Sequence, residues 1–332
     1  MNKMNKQTKI AVFFGGKISQ HLVLVKRAAT RLRQGYVGQE KLDVQLDLIS
    51  YNKVCFDSKK QKVLIRPNLA DESKIQKIKK YKKADDYDVL FFRTTGKHWE
   101  EVDLIINSIK RDDVVVVDPL VRTGKPSMAC KAWQMLILEK AGIEVPMTTY
   151  GSLWYLYETM VNKDLFNFPV IIKGSGGDRG TRVYKADNLE QLEKLVRDLR
   201  KSEVEDGRRY MLQEFIPNDG DYRVLVLGDK VLGVMKRSAE QNSGEFRNNY
   251  SAGGTVEVAE LPEEIKQLAI RAAKVCGLAV AGVDVAFRDN DLKKPVIWEV
   301  NKGPQFKGFM QATGIDVPAE MVKFLVSLAQ SP

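Results

Sequence analysis

The chain has 332 residues, 44% of them hydrophobic and 29% charged, a soluble globular composition too long for one hydrophobic core, so two or three packed units are expected. No apolar run reaches the ~18–20 residues that span a bilayer and Met1 to Lys9 lacks the apolar core of a secretion signal, so a cytoplasmic location is expected. The three scattered cysteines (Cys55, Cys130, Cys276) and two histidines (His21, His98) argue against a disulfide framework or a zinc site, and the net charge of +10 sits in residues 1–150, with 28 Lys and Arg against 17 Asp and Glu.

In chain order, Lys9 to Gly16 (KIAVFFGG) reads as a buried strand followed by a turn into a helix over Leu22 to Leu32. Val44 to Tyr51 and Tyr87 to Arg93 read as further strands, Glu100 to Ile109 as a helix, and Val114 to Asp118 (VVVVD) as a strand buried on both faces. This alternation predicts a small α/β unit with a parallel sheet, ending near residue 125. Between Ile65 and Asp85 lies a lysine-rich stretch, Lys74 through Lys83, which reads more simply as a solvated face than as a nucleic-acid site, because no recognised nucleic-acid motif accompanies it.

Ser127 is positioned to cap a helix that runs to Ala141, where Gly142 stops it. The strand Pro169 to Lys173 then enters the glycine-rich GSGGDRG, followed by a strand over Arg182 to Lys185 and a helix from Leu189 with Leu192, Leu195, Val196 and Leu199 at helical spacing. Strands follow at Tyr210 to Phe215, Tyr222 to Leu227, Val231 to Lys236, Gly282 to Phe287 and Val296 to Asn301, with helices over Glu263 to Cys276 and Pro318 to Ala329. The expected units are 1–125, 126–212 and 213–332.

The strongest chemical pattern pairs Asp284 in AGVDVAF with Glu299 and Asn301 in VIWEVN. Glu299 and Asn301 are two apart on a strand and leave the same face, where Asp284 joins them from a neighbouring strand. Two carboxylates and an amide suit a hard, oxygen-preferring divalent ion that completes its shell with water and phosphate. The plain alternative is two strands with polar residues on their solvent side. Upstream, Lys173 precedes Gly174, Gly176, Gly177 and Gly180, a loop whose bare amides suit phosphate oxygens. It is not a Walker loop, since no G-K-[ST] follows the glycines. Between the two patterns lie Gln213, Glu214, Phe215 and Ile216 (QEFI), Asp221 and Arg223 in GDYR, Lys236 and Arg237, and EFRNN ahead of Gly253 and Gly254.

Taken together and in this order, the motifs resemble those of RimK-like ATP-grasp ligases, over about residues 85–328. The resemblance implies an ATP-grasp fold, α/β and α+β, behind an N-terminal parallel-sheet domain. It also implies ATP with Mg2+ as cofactors, Mn2+ being an alternative. On it, Lys131 and Lys173 contact the nucleotide phosphates, as does the loop through Gly176, Gly177 and Gly180; Gln213, Glu214, Phe215 and Ile216 lie at the adenine and Asp221 at the ribose. Lys236 is counted with the nucleotide-binding residues. Arg247, Asn248 and Asn249 match the family's arginine-serine-asparagine stretch near phosphates and acceptor, with Arg247 and Lys173 in catalytic roles; Asp284, Glu299 and Asn301 match its magnesium ligands. One departure follows Asn301, where the familiar A-S-P-G-L-E-G is replaced by Lys302, Gly303, Pro304, Gln305, Phe306, Lys307 and Gly308. Lys302 and Lys307 are expected to border the substrate site and to change its preference.

The function so implied is an ADP-forming ligase that joins a carboxylate to an amine through an acylphosphate, adding an amino acid to a peptide or protein. The basic first unit suggests an acidic acceptor by electrostatic steering. No membrane or nucleic-acid partner is expected, and a homo-oligomer is compatible with the sequence. Rival readings are a nucleotide-binding regulator without turnover and a basic nucleic-acid-binding protein, whose affinity would fall steeply with salt.

Overall fold

The computed structural model describes residues 7–35, 40–60, 62–67, 81–96, 98–123, 130–163, 167–174, 182–238 and 255–330. Its first unit begins with the apolar strand β1 (Thr8–Phe14), the helix α1 (Gln20–Gln34) and β2 (Val44–Ser50). Ser19 caps α1 by accepting the Leu22 N–H, and Gly35 ends it in the left-handed conformation at φ +71°, with its N–H on the Arg31 carbonyl. A hairpin of β3 (Val54–Asp57) and β4 (Lys62–Ile65) precedes β5 (Val89–Phe92), α2 (Trp99–Asn107), β6 (Val115–Val117) and the short α3 (Pro119–Arg122). The other four strands pair in parallel in the order β2-β1-β5-β6, as the alternating pattern predicts. Strands covered on both faces leave no polar side to alternate with, which is why β1 and β5 are nearly continuous apolar runs.

The next unit starts with α4 (Lys131–Lys140), which ends before Gly142 at φ +67°. The predicted cap at Ser127 lies outside the described residues. Then come β7 (Thr148–Gly151), α5 (Leu153–Lys163), β8 (Val170–Gly174), β9 (Val183–Ala186), α6 (Leu189–Glu205) and β10 (Tyr210–Glu214), whose strands form an antiparallel sheet β7-β10-β8-β9. Val170, Ile172 and Leu212 bury one face of it under Leu153, Leu156, Leu192 and Val196 of the two helices. Because side chains alternate, Ile171, Lys173, Met211 and Gln213 are committed to the opposite face.

The third sheet is antiparallel, β13-β12-β11-β14-β15, built from β11 (Asp221–Leu227), β12 (Lys230–Ser238), β13 (Thr255–Ala259), β14 (Val280–Phe287) and β15 (Pro295–Lys302). Helix α7 (Glu263–Val275) covers one face, where Ala269 and Ala273 meet Val224, Val226, Val283 and Val285. The other face has two halves. Leu225, Leu227 and Val280 form an apolar half joined to the first unit's core, whereas Asp221, Arg223, Asp284, Glu299 and Asn301 form a charged half. After α8 (Lys307–Thr313), the last helix α9 (Val317–Gln330) returns to the first unit: Val322, Leu325 and Val326 pack with Ile10, Val12 and Val25, and Arg31 pairs with Asp316 at 2.5 Å.

The β3–β4 hairpin, β7, α5, β13 and α8 are not among the predicted elements. Four of these strands span only four residues each or alternate weakly, and α5 (LWYLYETMVNK) carries aromatics that read equally as strand. Leu325 is fully buried under the first sheet. Leu325→Ala should therefore destabilise the fold by about 2–5 kcal/mol, seen as a lower denaturant midpoint followed by circular dichroism.

Candidate active site

Asp284 lies directly opposite Glu299, and Gly282 opposite Asn301, so adjacent strands deliver the three expected metal ligands to one face. Asn301 Nδ2 donates to Asp284 Oδ2 at 3.1 Å, which leaves the amide oxygen as the group available to a cation. Among the described residues no cluster of three or more His, Cys, Asp or Glu is placed to hold a metal. Two carboxylates with an amide is the set the fold assembles, and its hard oxygen donors fit a magnesium-sized ion.

Two arginines that the sequence reading left without a role hold this face together. Arg223 faces Asp284 across β11 and β14, and it donates Nε and Nη2 to the two carboxylate oxygens, each at 2.7 Å. Arg237, opposite Asp221 across the β11–β12 hairpin, donates Nε at 2.8 Å and Nη2 at 2.6 Å to Asp221, and its Nη2 also lies 3.0 Å from Asp284 Oδ2. Burial works against the Asp284 carboxylate, but the charges of Arg223 and Arg237 and the hydrogen bonds they donate outweigh it and hold the pKa down to about 2. Asp221 is raised instead, by burial and by the neighbouring charge of Asp284.

Lys131 opens α4 and sets its ammonium 3.1 Å from Glu299 Oε1. The helix is stitched to β15 one turn later, where Gln134 donates Nε2 to the Val300 carbonyl at 2.9 Å. From the second sheet, Lys173 reaches the same charged face: enclosure, and then the charge of Lys131, lower its ammonium pKa to about 8, opposed by the pull of Glu299, Asp284 and Asp221. Four cations, Lys131, Lys173, Arg223 and Arg237, thus converge on three carboxylates, an excess of positive charge that suits a polyphosphate.

The other expected residues are placed as follows. Gln213 is buried and donates Nε2 to Thr148 Oγ1 at 2.8 Å, and Ile216 is buried. Glu214 is taken up by the protein itself, its carboxylate accepting from Arg288 at 2.6 and 3.0 Å and from the Met147 N–H at 2.8 Å. Phe215 lies under the Lys185 ammonium, 5.0 Å from the ring centroid. Both oxygens of Asp221, expected at the ribose, accept from Arg237, and the residue is 4% exposed. Lys236 stands 3.5 Å from Asp219. Gly176, Gly177, Gly180, Arg247, Asn248 and Asn249 lie outside the described residues.

Lys302 departs from expectation. It pairs opposite Ala281, one step out of phase with Asn301, so its side chain leaves the back of the sheet instead of bordering the substrate. Lys307 begins α8 and is exposed.

The profile of the RimK-like ATP-grasp domain matches residues 129–325. The chain belongs to the RimK-like ATP-grasp family and is a ligase of the kind that forms C–N bonds. It is 33% identical over 214 residues to a probable alpha-L-glutamate ligase of Trichodesmium erythraeum (strain IMS101), the match covering 62% of this chain and 68% of the relative. A probable alpha-L-glutamate ligase of Cellvibrio japonicus (strain Ueda107) is 30% identical over 223 residues, 67% of this chain and 70% of the relative. Among solved structures, the ATP-grasp ligase PsnB, complexed with a phosphomimetic variant of a minimal precursor, Mg and ADP, superposes with a TM-score of 0.65 at 17% identity over 97% of this chain and 99% of that one, a likeness of fold.

The lowered pKa of Lys173 has a measurable consequence. A bound polyanion favours the ammonium, so binding takes up a proton once the free lysine has lost its own; affinity is full below pH 8 and falls as pH rises through 8, by up to about tenfold per pH unit. Nucleotide affinity measured from pH 7 to 9.5 should show this decline, and Lys173→Arg, charged throughout, should flatten it.

Proposed function

We propose that the chain uses Mg2+ and ATP to activate a carboxylate as its acylphosphate and to join it to an amine, adding an amino acid to a peptide or protein. The observation that carries this reading is that Lys131 pairs with Glu299 beside Asp284 and Asn301, on a face whose charges also act on Lys173 from the second sheet. It is supported by membership of a ligase family and by the excess of cations on that face. The names of the relatives favour glutamate as the amino acid handled, and the basic first unit favours an acidic acceptor. Mn2+, which favours the same oxygen donors, is an alternative ion.

In the first step a carboxylate oxygen of one substrate attacks the γ-phosphorus, the bond to the β–γ bridging oxygen breaks, and ADP leaves. In the second the amine attacks the acyl carbon, loses its proton and expels inorganic phosphate. Lys131 and Lys173 neutralise charge on the phosphate oxygens during transfer. Asp284, Glu299 and the Asn301 amide would hold Mg2+, which when bound supplies charge stabilisation at the β- and γ-phosphates. Arg223 and Arg237 keep Asp284 ionised and oriented for this role. Arg247, by its place in the sequence, is assigned to the oxyanion of the second step, and Asn248 and Asn249 to the phosphates. Glu214, paired with Arg288, fixes the strand end next to which Phe215 meets the adenine.

Incubation with ATP, Mg2+, glutamate and glutamate-rich peptides should release ADP and give a peptide heavier by one or more residues in mass spectra. Product formed without ATP would refute the reading. Asp284→Asn removes a direct ligand charge and should lower ADP release by more than about 100-fold, beyond what loss of an outer-shell partner costs.

A further inference from the structure

Gln213 is the one residue of the second sheet, among those described, whose side chain buries a polar atom without a partner. The residue is 1% exposed, and its Oε1 is enclosed and accepts no hydrogen bond. Buried polar groups are nearly all hydrogen-bonded, so an exception asks for a donor from elsewhere. Strand register fixes the direction in which this side chain leaves the sheet. Thr148, Gln213, Ile171 and Lys185 stand opposite one another in a row across β7, β10, β8 and β9, and cross-strand partners share a face. Lys173 lies two residues from Ile171, on that same face. At the end of the row the Lys185 ammonium stands 5.0 Å from the centroid of the Phe215 ring. The row thus shares its face with Lys173, expected at the phosphates, and ends against Phe215, expected at the adenine.

Thr148 settles which end of the amide is free. Its hydroxyl donates its single proton to the Pro146 carbonyl at 2.7 Å, so toward Gln213 that oxygen only accepts, and Gln213 Nε2 is the donor at 2.8 Å. An amide held by its nitrogen presents its oxygen on the other branch. The relay from Pro146 through Thr148 to Gln213 therefore turns a side chain of two opposite ends into a fixed acceptor. Adenine carries an amino group at C6, a donor, whereas guanine and hypoxanthine carry an oxygen there, an acceptor.

We propose that Gln213 selects 6-amino over 6-oxo purine nucleotides by offering its Oε1 to the exocyclic amine, with Thr148 as the positioning residue that fixes the amide. When a 6-oxo base enters, the same oxygen stays unpaired and faces a second acceptor, which is how a site built for one polar group rejects its opposite. This inference rests on the nucleotide reading above and goes beyond it by naming the group that reads the base.

Calorimetry in the presence of Mg2+ with ADP and with IDP, neither consumed by turnover, measures the preference directly. The parent should bind ADP at least about tenfold more tightly than IDP, the worth of one hydrogen bond. Gln213→Met, similar in length and without the amide, should cut that preference about tenfold by weakening ADP. Thr148→Val keeps Gln213 but frees its amide to turn, so it should narrow the preference at least about threefold by strengthening IDP; it decides the matter should Gln213→Met not fold. Thr148→Ser, which keeps the hydroxyl, should retain the parent's ratio. The inference is overturned by a Gln213→Met that weakens both nucleotides alike, as loss of packing does, or that keeps the parent's preference, as reading by other groups does. A Thr148→Val with the parent's ratio overturns the relay. A parent that binds both diphosphates equally overturns the selection alone, whereas one that binds neither overturns the nucleotide reading and the selection with it.

Discussion

Asp284 remains a carboxylate inside the protein because two guanidinium groups reach it from the adjacent hairpin. A lone carboxylate so enclosed would be driven toward its neutral form, which binds a divalent ion poorly; breaking such a buried pair from one side costs about 3–5 kcal/mol. The β11–β12 hairpin thereby does more than extend a sheet. By presenting Arg223 and Arg237 in register with Asp284 and Asp221, it turns an unfavourable cluster of acids into a charged surface whose sign favours phosphate.

The direction of Lys173 and of the charged face follows from the parity of strands. In β8 and β10, burial of Val170, Ile172 and Leu212 under two helices leaves Lys173 no direction but the opposite face. In β11 and β14, burial of Val224, Val283 and Val285 under α7 sends Arg223 and Asp284 the other way. Each sheet thus keeps one face for its helices and gives its charged side chains to the other. Helix α4 adds Lys131, its height over Glu299 set by the Gln134 stitch.

Much of this was legible in the residues. The parallel first sheet follows from continuous apolar runs separated by a helix, and the common face of Glu299 and Asn301 follows from their spacing. The partners of Asp284 were harder to see. Asp221 and Arg223 stand two apart, so they share a face, but pairing Arg237 with Asp221 requires counting back through a turn and a register shift between Leu225 and Val226 that no residue pattern announces. Its position in the motif suggests a place for Lys302 beside the substrate, but strand alternation from Asn301 sends it to the far side. The arginine partners of Glu214 and Asp221 could not be read from the residues, because Arg288 and Arg237 are distant in sequence and close only in the fold.

The return of α9 to the first sheet bears on how the chain is made. β1 leaves the ribosome well before the helix that covers its apolar face, with both later sheets made between them. At about 5–20 residues per second, that surface waits some tens of seconds for its cover. During vectorial synthesis the parallel sheet is a half-roofed structure, exposed to chaperones and to unwanted association, and its final consolidation is coupled to completion of the strands that precede α9.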